Sequence, residues 1–302
     1  MSTPLVAGIE LGGTKVICVL ASGPDDVRDT VTIPTTTPAE TMDAVEAVLA
    51  RWSGYEALGI ASFGPVSLDP ADPRHGFITA TPKPGWSDTD VGQRLARVAG
   101  VPTGFDSDVA GAALGEGRWG ASRTVADHAY VTVGTGLGVG LVLGGTPVSG
   151  LTHSELGHIR PVRLPGDTWQ GSCPFHGDCL EGLASGTAIR ARAGTPAQDI
   201  AVDDPVWDGV AHALAQLCHT LVLTGIPRRI VMGGGVMVGV PHLFAMIQHK
   251  LAESLAGYGN ARGLMPFEAF VVPAELGGMA GPLGAIELGV RALSKGSSFR
   301  NC

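Results

Sequence analysis

The sequence predicts an α/β protein with two domains and a cleft between them. Its 302 residues exceed the size at which one hydrophobic core stops growing, about 250–300 residues. Apolar segments of strand length alternate with segments whose apolar residues recur at helical spacing. A strand, a glycine turn and a second strand occur near the start and again in the middle, so the same half is present twice. We place the domains at 1–117 and 118–302, with the last helix packing back on the N-terminal domain.

Each predicted half contains two strands around a glycine turn. Leu5–Ile9 and Val16–Leu20 are apolar runs separated by the tight segment Glu10–Lys15, which is typical of a hairpin. Ala129–Val133 and Val139–Leu143 repeat this arrangement. The two glycine turns are the first candidates for ligand binding, because backbone without a Cβ lets a ligand approach closely.

The other elements follow from periodicity and from terminal signals. Three more apolar runs have the length of buried strands: Ala57–Phe63, Val101–Phe105 and Arg229–Met232. Helical spacing predicts helices at 38–52, Val109–Glu116, Trp207–Leu223, Leu243–Leu255 and up to Leu293. A capping box starts the first of these at Thr37, and Gly117 is expected to end the second. The run Asp106–Asp108 therefore lies between a strand and a helix, where active-site residues of α/β sheets collect.

Composition and charge restrict the classes of function. A net charge of −8 without a cluster of Lys and Arg argues against a nucleic-acid binder, so small-molecule partners are expected. No apolar run approaches the ~20 residues of a membrane-spanning helix, and the N-terminus has no basic flank or cleavage site. We expect no membrane partner and a cytoplasmic protein. Among the five cysteines, Cys18 and Cys218 lie inside apolar segments, which argues against a disulfide scaffold.

Four side chains in the second half have the ligand types of a closed zinc site. Cys173, His176 and Cys179 are spaced three residues apart, and His158 precedes them. Two thiolates and two imidazoles complete a tetrahedral Zn²⁺ shell and leave no open position, so we expect a structural metal. His153 is a rival for the fourth ligand.

The two glycine turns also have the composition of phosphate-binding loops. Backbone amides and hydroxyls in such turns form concavities that bind anions. The residues concerned are Gly12, Gly13, Thr14 and Lys15, the last with its role left open, and Gly134, Thr135, Gly136 and Gly138. A Rossmann-type dehydrogenase is disfavoured because the first loop runs back into a strand, whereas a dinucleotide-binding loop opens a helix.

Five motifs occur in an order that resembles the ROK family of sugar kinases and repressors, over nearly the whole chain. They are Glu10–Lys15, Ser107-Asp108 before an alanine-rich helix, the loop from Gly134, Glu155-Leu-Gly-His158, and the Cys/His knuckle. Thr81–Trp86 and the Cys-Pro-Phe-His form of the knuckle resemble the bacterial fructokinase branch. The resemblance implies the actin-like, ribonuclease-H-like duplicated α/β fold. We do not expect the repressors' DNA-binding helix-turn-helix, because four residues precede Leu5.

The resemblance also implies roles for individual residues. Asp108 precedes the alanine-rich helix as the family's catalytic base does, and Asp106 is the second candidate. Glu10 stands where many members have Asp, and it is expected near Mg²⁺ or its waters. The family's sugar contacts fall on Ser107, Glu155, His158 and Glu181. Its adenosine-side loops fall on Gly233, Gly234, Gly235, Gly277 and Gly281.

We therefore expect an ATP-dependent hexose kinase, in the first place a fructokinase that forms fructose 6-phosphate. Mg²⁺ at the phosphates, structural Zn²⁺ and a homodimer are expected with it. Ser107, in place of the asparagine of glucokinases, weakens a glucokinase assignment. The alternatives left open are a glucokinase, a mannokinase, an N-acetylhexosamine kinase and a non-catalytic sugar-sensing regulator. Because zinc would order the loop that holds Glu155 and Glu181, its removal is expected to lower sugar affinity.

Overall fold

The structure contains two five-stranded sheets, one in each of two units of the chain. The computed structural model describes residues 3–150, 152–259, 261–264, 266–295 and 299. The first unit comprises Met1–Gly120, Pro147–Ser154 and Gly278–Cys302, and the second comprises Ala121–Thr146 and Glu155–Gly277. The segment Pro147–Ser154 lies within the predicted C-terminal domain 118–302 but belongs to the first unit here.

Strands and helices alternate along both halves. Within the described residues the strands are β1 (Val6–Leu11), β2 (Lys15–Gly23), β3 (Asp26–Pro34), β4 (Ala57–Ser62), β5 (Phe77–Ile78), β6 (Thr89–Asp90), β7 (Thr103–Ser107), β8 (His128–Val133), β9 (Leu137–Leu143), β10 (Thr146–Pro147), β11 (Arg229–Gly233) and β12 (Val271–Pro273). The α-helices are α1 (Pro38–Arg51), α2 (Gly92–Ala99), α3 (Asp108–Arg118), α4 (Leu180–Ala184), α5 (Gly186–Ala193), α6 (Val206–Thr224), α7 (Gly235–Gly239), α8 (Leu243–Leu255), α9 (Phe267–Phe270) and α10 (Ala280–Lys295). Short 3-10 turns occupy Leu156–His158, Ala197–Asp199, Ala261–Leu264 and Gly277–Met279.

The two large sheets have the same strand order. The first is ordered β3-β2-β1-β4-β7 and the second β10-β9-β8-β11-β12, which is 3-2-1-4-5 in both when each sheet's strands are counted along the chain. β1 pairs antiparallel with β2 and parallel with β4, and β8 pairs in the same way with β9 and β11. This repetition confirms the predicted duplicated α/β arrangement.

The last helix completes the first unit. α10 packs against β1, β4, β7 and α3, and glycine makes this close approach possible. A Cβ on Gly59 of β4 would lie 1.7 Å from the carbonyl oxygen of Ala285, and a Cβ on Gly284 would lie 1.9 Å from that of Gly111. The start of α10 is thereby fixed beside the ends of β1 and β7, where the predicted catalytic residues lie.

The core of the second unit is built on the long helix α6. Its apolar residues recur at helical spacing, and Val210, Leu214, Leu217 and Leu221 are fully buried. α6 packs against α8 and against the short helix α4. Because α4 begins directly after Cys179, this packing positions the predicted metal knuckle on the core.

Most predicted elements are present, and α8 has the predicted bounds. Gly117 does not end α3 as predicted, because the amide of Trp119 still bonds to the carbonyls of Gly115 and Glu116, so the helix continues to Arg118. β3 was not predicted, because its residues are mostly exposed and form no apolar run. The short helices α2, α4 and α5 were not predicted either.

The described cysteines are free thiols. They are Cys18, Cys173, Cys179 and Cys218, while Cys302 lies outside the described residues. Burial raises the pKa of both Cys18 and Cys218 to about 12, so these two thiols remain protonated and act as small apolar groups. Over the part of the chain that the structure describes, no helix combines the length and hydropathy needed to cross a bilayer.

Candidate active site

The first glycine loop joins β1 to β2 and is held by Thr35. The Gly12 amide donates to the Lys15 carbonyl at 3.0 Å and closes the turn. Thr35 donates through its hydroxyl to the Gly12 carbonyl at 2.8 Å and through its amide to the Thr14 carbonyl at 3.0 Å. Among the described residues, the exposed amides of Gly13 and Thr14 have no hydrogen-bond partner. These two amides can donate hydrogen bonds to an anion, whereas the Gly12 amide already donates to the Lys15 carbonyl within the turn.

The Glu10 carboxylate lies against the start of α10. A Cβ on Gly281 would be 2.0 Å from Glu10 Oε1, so the lack of a side chain at position 281 makes room for this acid. Burial, with the Asp108 carboxylate as the second cause, raises the pKa of Glu10 to about 7, and Lys15 opposes the rise. Gly281, which the resemblance places on the adenosine side, thus packs here against an acid that interacts with Asp108.

The junction between β7 and α3 carries three of the predicted polar residues. Ser107 is the N-cap of α3: it is buried, and its hydroxyl accepts a hydrogen bond from the Ala110 amide at 3.3 Å. Asp108 is the first helical residue, and its Oδ1 accepts from the Val109 amide at 2.8 Å. Asp106 and Asp108 do not share one extended segment, because the strand ends at Ser107. Since Ser107 supplies the cap, Asp108 is left at the positive end of the helix, which stabilises an ionised carboxylate.

Asp106 is a buried acid in a different environment. Burial raises the pKa of Asp106 to about 6, while a hydrogen bond from the Ser107 amide and the charges of His153 and Arg291 oppose this rise. The His153 ring packs against Gly64, where an added Cβ would approach it to 3.0 Å. His153, the rival zinc ligand, therefore lies in the first unit beside Asp106, and it is not part of the Cys/His cluster described below.

The second glycine loop, between β8 and β9, is built like the first. The Gly134 amide donates to the Gly136 carbonyl at 3.0 Å and closes the turn. A threonine hydroxyl again holds the loop, because Thr187 Oγ1 donates to the Thr135 carbonyl at 2.8 Å. Gly138 lies in β9 and pairs across the sheet, so it is a strand residue rather than a loop residue.

The first residue of β9, Leu137, is contacted from two sides. Its amide donates to Glu181 Oε2 at 3.2 Å, and the same carboxylate oxygen would be 2.7 Å from a Cβ on Gly136. On the other side, a Cβ on Gly157 would be 2.0 Å from the Leu137 carbonyl oxygen. Glu181 follows Cys179 by two residues and Gly157 precedes His158, so the second loop is tied to both ends of the metal knuckle.

The predicted zinc ligands come together in the second unit. The ligand atoms of His158, Cys173, His176 and Cys179 all lie within 4.8 Å of one another. His158 Nδ1 is 3.7 Å from Cys173 Sγ and 3.6 Å from Cys179 Sγ, and His176 Nδ1 is 3.8 Å from Cys173 Sγ. Tetrahedral zinc with its usual Zn–S and Zn–N bonds requires about 3.6 Å between sulfur and nitrogen. The donor set therefore fits Zn²⁺. Glu155 is exposed, and its carbonyl accepts from the His158 amide at 2.9 Å.

Three predicted adenosine-side glycines lie at the end of β11: Gly233 is its last residue, and Gly234 and Gly235 follow it. A Cβ on Gly233 would lie 2.5 Å from Tyr130 Oη, and one on Gly234, which has φ +90°, would lie 2.5 Å from the backbone of β8. Both glycines are therefore required by packing. Gly235 and Gly277 face open space, since a Cβ on either would meet nothing within 4 Å.

The predicted site residues form one group in each unit. The first unit holds Glu10, Gly12, Gly13, Thr14, Lys15, Ser107, Asp108 and Gly281. The second holds Gly134, Thr135, Gly136, Gly138, Glu155, His158, Cys173, His176, Cys179, Glu181, Gly233, Gly234, Gly235 and Gly277. In the first group Glu10 lies against Gly281, and the Asp108 charge acts on Glu10. In the second group Glu181 lies against Gly136 and follows the Cys179 ligand of the Cys/His cluster by two residues.

Three residues that hold the loops were not identified from the sequence. Thr35 and Thr187 lie in polar segments where threonine carries no distinguishing signal. Lys83 lies in Thr81–Trp86, which was noted only as a mark of the fructokinase branch. Its Nζ donates to the Gly13 carbonyl at 2.6 Å.

Comparison with known proteins identifies the family of this chain. Residues 6–291 match the ROK family. The chain is 43% identical to a fructokinase of Pediococcus pentosaceus, over 96% of this chain and 99% of that protein. It is 41% identical to a fructokinase of Zymomonas mobilis, over 95% and 97% of the two chains.

Solved structures show the same fold. A ROK hexokinase from Thermus thermophilus superposes with a TM-score of 0.79 at 27% identity, covering 97% of this chain and 100% of that one. A ROK glucokinase from Streptomyces griseus, solved with glucose and AMPPNP, gives 0.74 at 27% identity, covering 95% and 99%. These similarities confirm the expected actin-like, ribonuclease-H-like fold. From its sequence match, its relatives and its architecture, the chain belongs to the ROK family.

Proposed function

We propose that this protein is an ATP-dependent fructokinase that transfers the γ-phosphoryl group of ATP to a primary hydroxyl of fructose, giving fructose 6-phosphate. Four relatives described as fructokinases are 35–43% identical to this chain. A kanosamine kinase and two glucokinases are 28–31% identical. The higher identity to the fructokinases favours fructose as the acceptor.

The observation that carries the proposal is the matched construction of the two glycine loops. In each, the first glycine amide closes the turn and a threonine hydroxyl holds a loop carbonyl at 2.8 Å. Two rigid turns with amides left for a ligand suit the phosphates of a nucleotide, because each amide can donate to a phosphate oxygen. We assign Gly13, Thr14 and Lys15 to this role in the first unit, and Thr135 and Gly136 in the second.

In the proposed reaction, the sugar hydroxyl oxygen forms a bond to the γ-phosphorus while the bond from that phosphorus to the ADP oxygen breaks. Asp108 accepts the hydroxyl proton. Its place at the start of α3 stabilises the ionised carboxylate needed for this step. One carboxylate oxygen is fixed by the Val109 amide at 2.8 Å, which sets the direction of the other oxygen.

Glu10 is the residue we assign to Mg²⁺ or its coordinated waters. Mg²⁺ takes carboxylate and water oxygens, and Glu10 is an acid whose ionisation is disfavoured by burial and by the Asp108 charge. A nearby divalent cation would favour the ionised form of Glu10, so this carboxyl group suits a Mg²⁺ site. When bound, Mg²⁺ neutralises charge on the phosphates during transfer.

We assign sugar contacts to Ser107, Glu155, His158 and Glu181. His158 can serve both metal and sugar through different nitrogens, since Nδ1 is the atom that lies 3.6 Å and 3.7 Å from the two thiols, which leaves Nε2 for a hydroxyl. The two carboxylate oxygens of Glu181 can likewise have different partners. Oε2 accepts a hydrogen bond from the Leu137 amide, and we assign Oε1 to the sugar. Structural Zn²⁺ at the Cys/His cluster would hold both residues in place.

The test is a comparison of acceptors. The purified chain is supplied with ATP and Mg²⁺, and ADP formation is measured with fructose, glucose, mannose and N-acetylglucosamine. We expect kcat/KM for fructose to exceed that for each other sugar by at least about tenfold, with fructose 6-phosphate identified by NMR. A higher kcat/KM for another hexose would replace fructose by that sugar. If no acceptor leads to ADP formation, the remaining candidate function is that of a non-catalytic sugar-sensing regulator.

A further inference from the structure

The segment Thr81–Trp86 is anchored in the first unit through its last residue. Trp86 is fully buried, and its ring packs edge-on against Phe63 at 5.3 Å between centroids. Its indole Nε1 donates to the Thr36 carbonyl at 2.9 Å. Thr36 directly follows Thr35, which holds the first glycine loop. The segment is therefore fixed next to the residues that shape the phosphate loop.

A short turn brings Lys83 from this anchor to the loop. The Trp86 amide donates to the Lys83 carbonyl at 3.2 Å. The side chain of Lys83 then reaches Gly13, 70 residues away in sequence, and its Nζ donates to the Gly13 carbonyl at 2.6 Å. Among the described residues, this is the ammonium group's only hydrogen bond, and no carboxylate lies within 4.0 Å of it. Two of its three N–H groups are left for a ligand.

Lys83 and Thr35 together donate hydrogen bonds to three carbonyl groups of the first glycine loop. The carbonyls of Gly12 and Thr14 accept from Thr35, and that of Gly13 accepts from Lys83. The amides of Gly13 and Thr14 are left for an anion, and a Cβ on Gly13 would meet nothing within 4 Å. The loop thus combines vacant N–H donors, open space and a positive charge without a carboxylate partner.

We propose that Lys83 is a nucleotide-binding residue whose ammonium group binds the terminal phosphate of ATP at the first glycine loop while it keeps its bond to Gly13. The inference rests on the proposed function, which assigns the ATP phosphates to this loop. A lysine suits the task because its ammonium group is a compact charge with several donors, and hydrogen bonds from a charged donor to phosphate are stronger than neutral ones. It also gives the Thr81–Trp86 segment a role.

The experiment must separate phosphate binding from simple support of the loop. Dissociation constants of ATP, ADP and AMP are measured by calorimetry for the full-length wild type, Lys83→Met and Lys83→Arg. Loss of a loop support acts through the Gly13 and Thr14 amides and is expected to affect ATP and ADP alike, whereas loss of a ligand of the γ-phosphate affects ATP but not ADP. AMP, which lacks both outer phosphates, reports general damage to the site. Lys250→Met is the matched control, because Lys250 pairs with Asp208 on the second unit at 2.6 Å. Thermal melts establish that each variant is folded.

We expect Lys83→Met to weaken ATP binding at least about tenfold, the range for a charge-assisted hydrogen bond, while ADP and AMP binding stay within about twofold because neither nucleotide has a γ-phosphate. Lys83→Arg should recover most of the ATP affinity, and Lys250→Met should match the wild type. Unchanged ATP binding in Lys83→Met, or an equal loss for ATP and ADP, would overturn the proposal.

The same titrations separate this inference from the proposed function. A wild-type chain that binds ATP but phosphorylates no hexose contradicts the proposed function, yet the Lys83 variants still decide the inference, since the measured quantity is binding. A wild-type chain that binds no ATP overturns both.

Discussion

The amide of Leu137 donates a hydrogen bond to Glu181 Oε2 at 3.2 Å, which ties the second glycine loop to the helix that begins after Cys179. The Leu137 carbonyl is packed against Gly157 in the turn that ends at His158. Two of the four clustered ligands are thus close in sequence to residues that touch Leu137: His158 directly follows Gly157, and Cys179 precedes Glu181 by two residues. Order in the Cys/His cluster is expected to determine order in the loop.

Removal of the metal is therefore predicted to weaken nucleotide binding as well as sugar binding. After chelation, we expect the Kd for ATP to rise at least about tenfold, in line with the 10–100-fold losses seen when the support of a metal site is removed. Hydrogen exchange at residues 134–137 should accelerate, and added Zn²⁺ should reverse both changes. Elemental analysis with less than about half a zinc per chain would contradict the premise, and an unchanged ATP Kd would show that loop and metal are independent.

Asp108→Asn is predicted to lower kcat at least about 100-fold, because the amide cannot accept the hydroxyl proton. Fructose and ATP binding should stay close to wild-type values, since the substitution keeps the size and one oxygen. Calorimetric Kd values and single-turnover rates check the two statements. The reverse pattern, with Asp106→Asn losing the rate and Asp108→Asn retaining it, would transfer the role of base to Asp106.

Gly281→Ala is predicted to raise the Mg²⁺ concentration needed for half-maximal rate by at least about fivefold. The new Cβ would lie 2.0 Å from Glu10 Oε1, so the Glu10 side chain has to move, at a stability cost of about 1–3 kcal/mol. Gly278→Ala is the matched control, because its Cβ would meet nothing within 4 Å. Equal Mg²⁺ dependence in the two variants would remove Glu10 from the metal site.

The raised pKa of Asp106 predicts that the stability of the folded protein depends on pH. Burial raises its pKa from 3.8 to about 6 in the folded state, so the folded protein holds this proton more tightly than the unfolded chain. The stability that Asp106 contributes is full below about pH 4 and is lost as the pH rises through about 6. Relative to Asp106→Asn, the wild type should lose about 1–3 kcal/mol of unfolding free energy between pH 4.5 and 7.5. Urea unfolding at the two pH values measures the difference, and a constant difference would contradict the shifted pKa.

Local sequence patterns were enough to predict the strands and helices whose buried apolar residues recur at a regular spacing. The hairpins around Gly12 and Gly134 are apolar runs with a glycine turn, and α8 is an apolar stripe at helical spacing. β3 was missed because most of its residues are exposed. Asp108 and Glu10 are candidates from sequence because they stand at the ends of such elements, where family motifs place functional residues.

Contacts between distant segments were not predictable. Lys83 meets Gly13 across 70 residues, and Glu181 meets Leu137 across 44. Each of these two contacts depends on where a helix or turn packs in the folded chain. The spacing of apolar residues in the sequence does not specify that position. The contact of Gly281 with Glu10 was not predictable either: the resemblance implies an adenosine-side place for Gly281, and the structure adds that the lack of a side chain there leaves room for Glu10.

The position of α10 has a consequence for synthesis on the ribosome. This helix supplies the packing partner of β1, β4 and α3, yet among the described helices it is translated after all the others. The unit built from residues 121–146 and 155–277 has all of its strands and helices before α10 emerges. The sheet of the first unit is therefore translated first, but it gains α10 as a packing partner only after the elements of the second unit have been made.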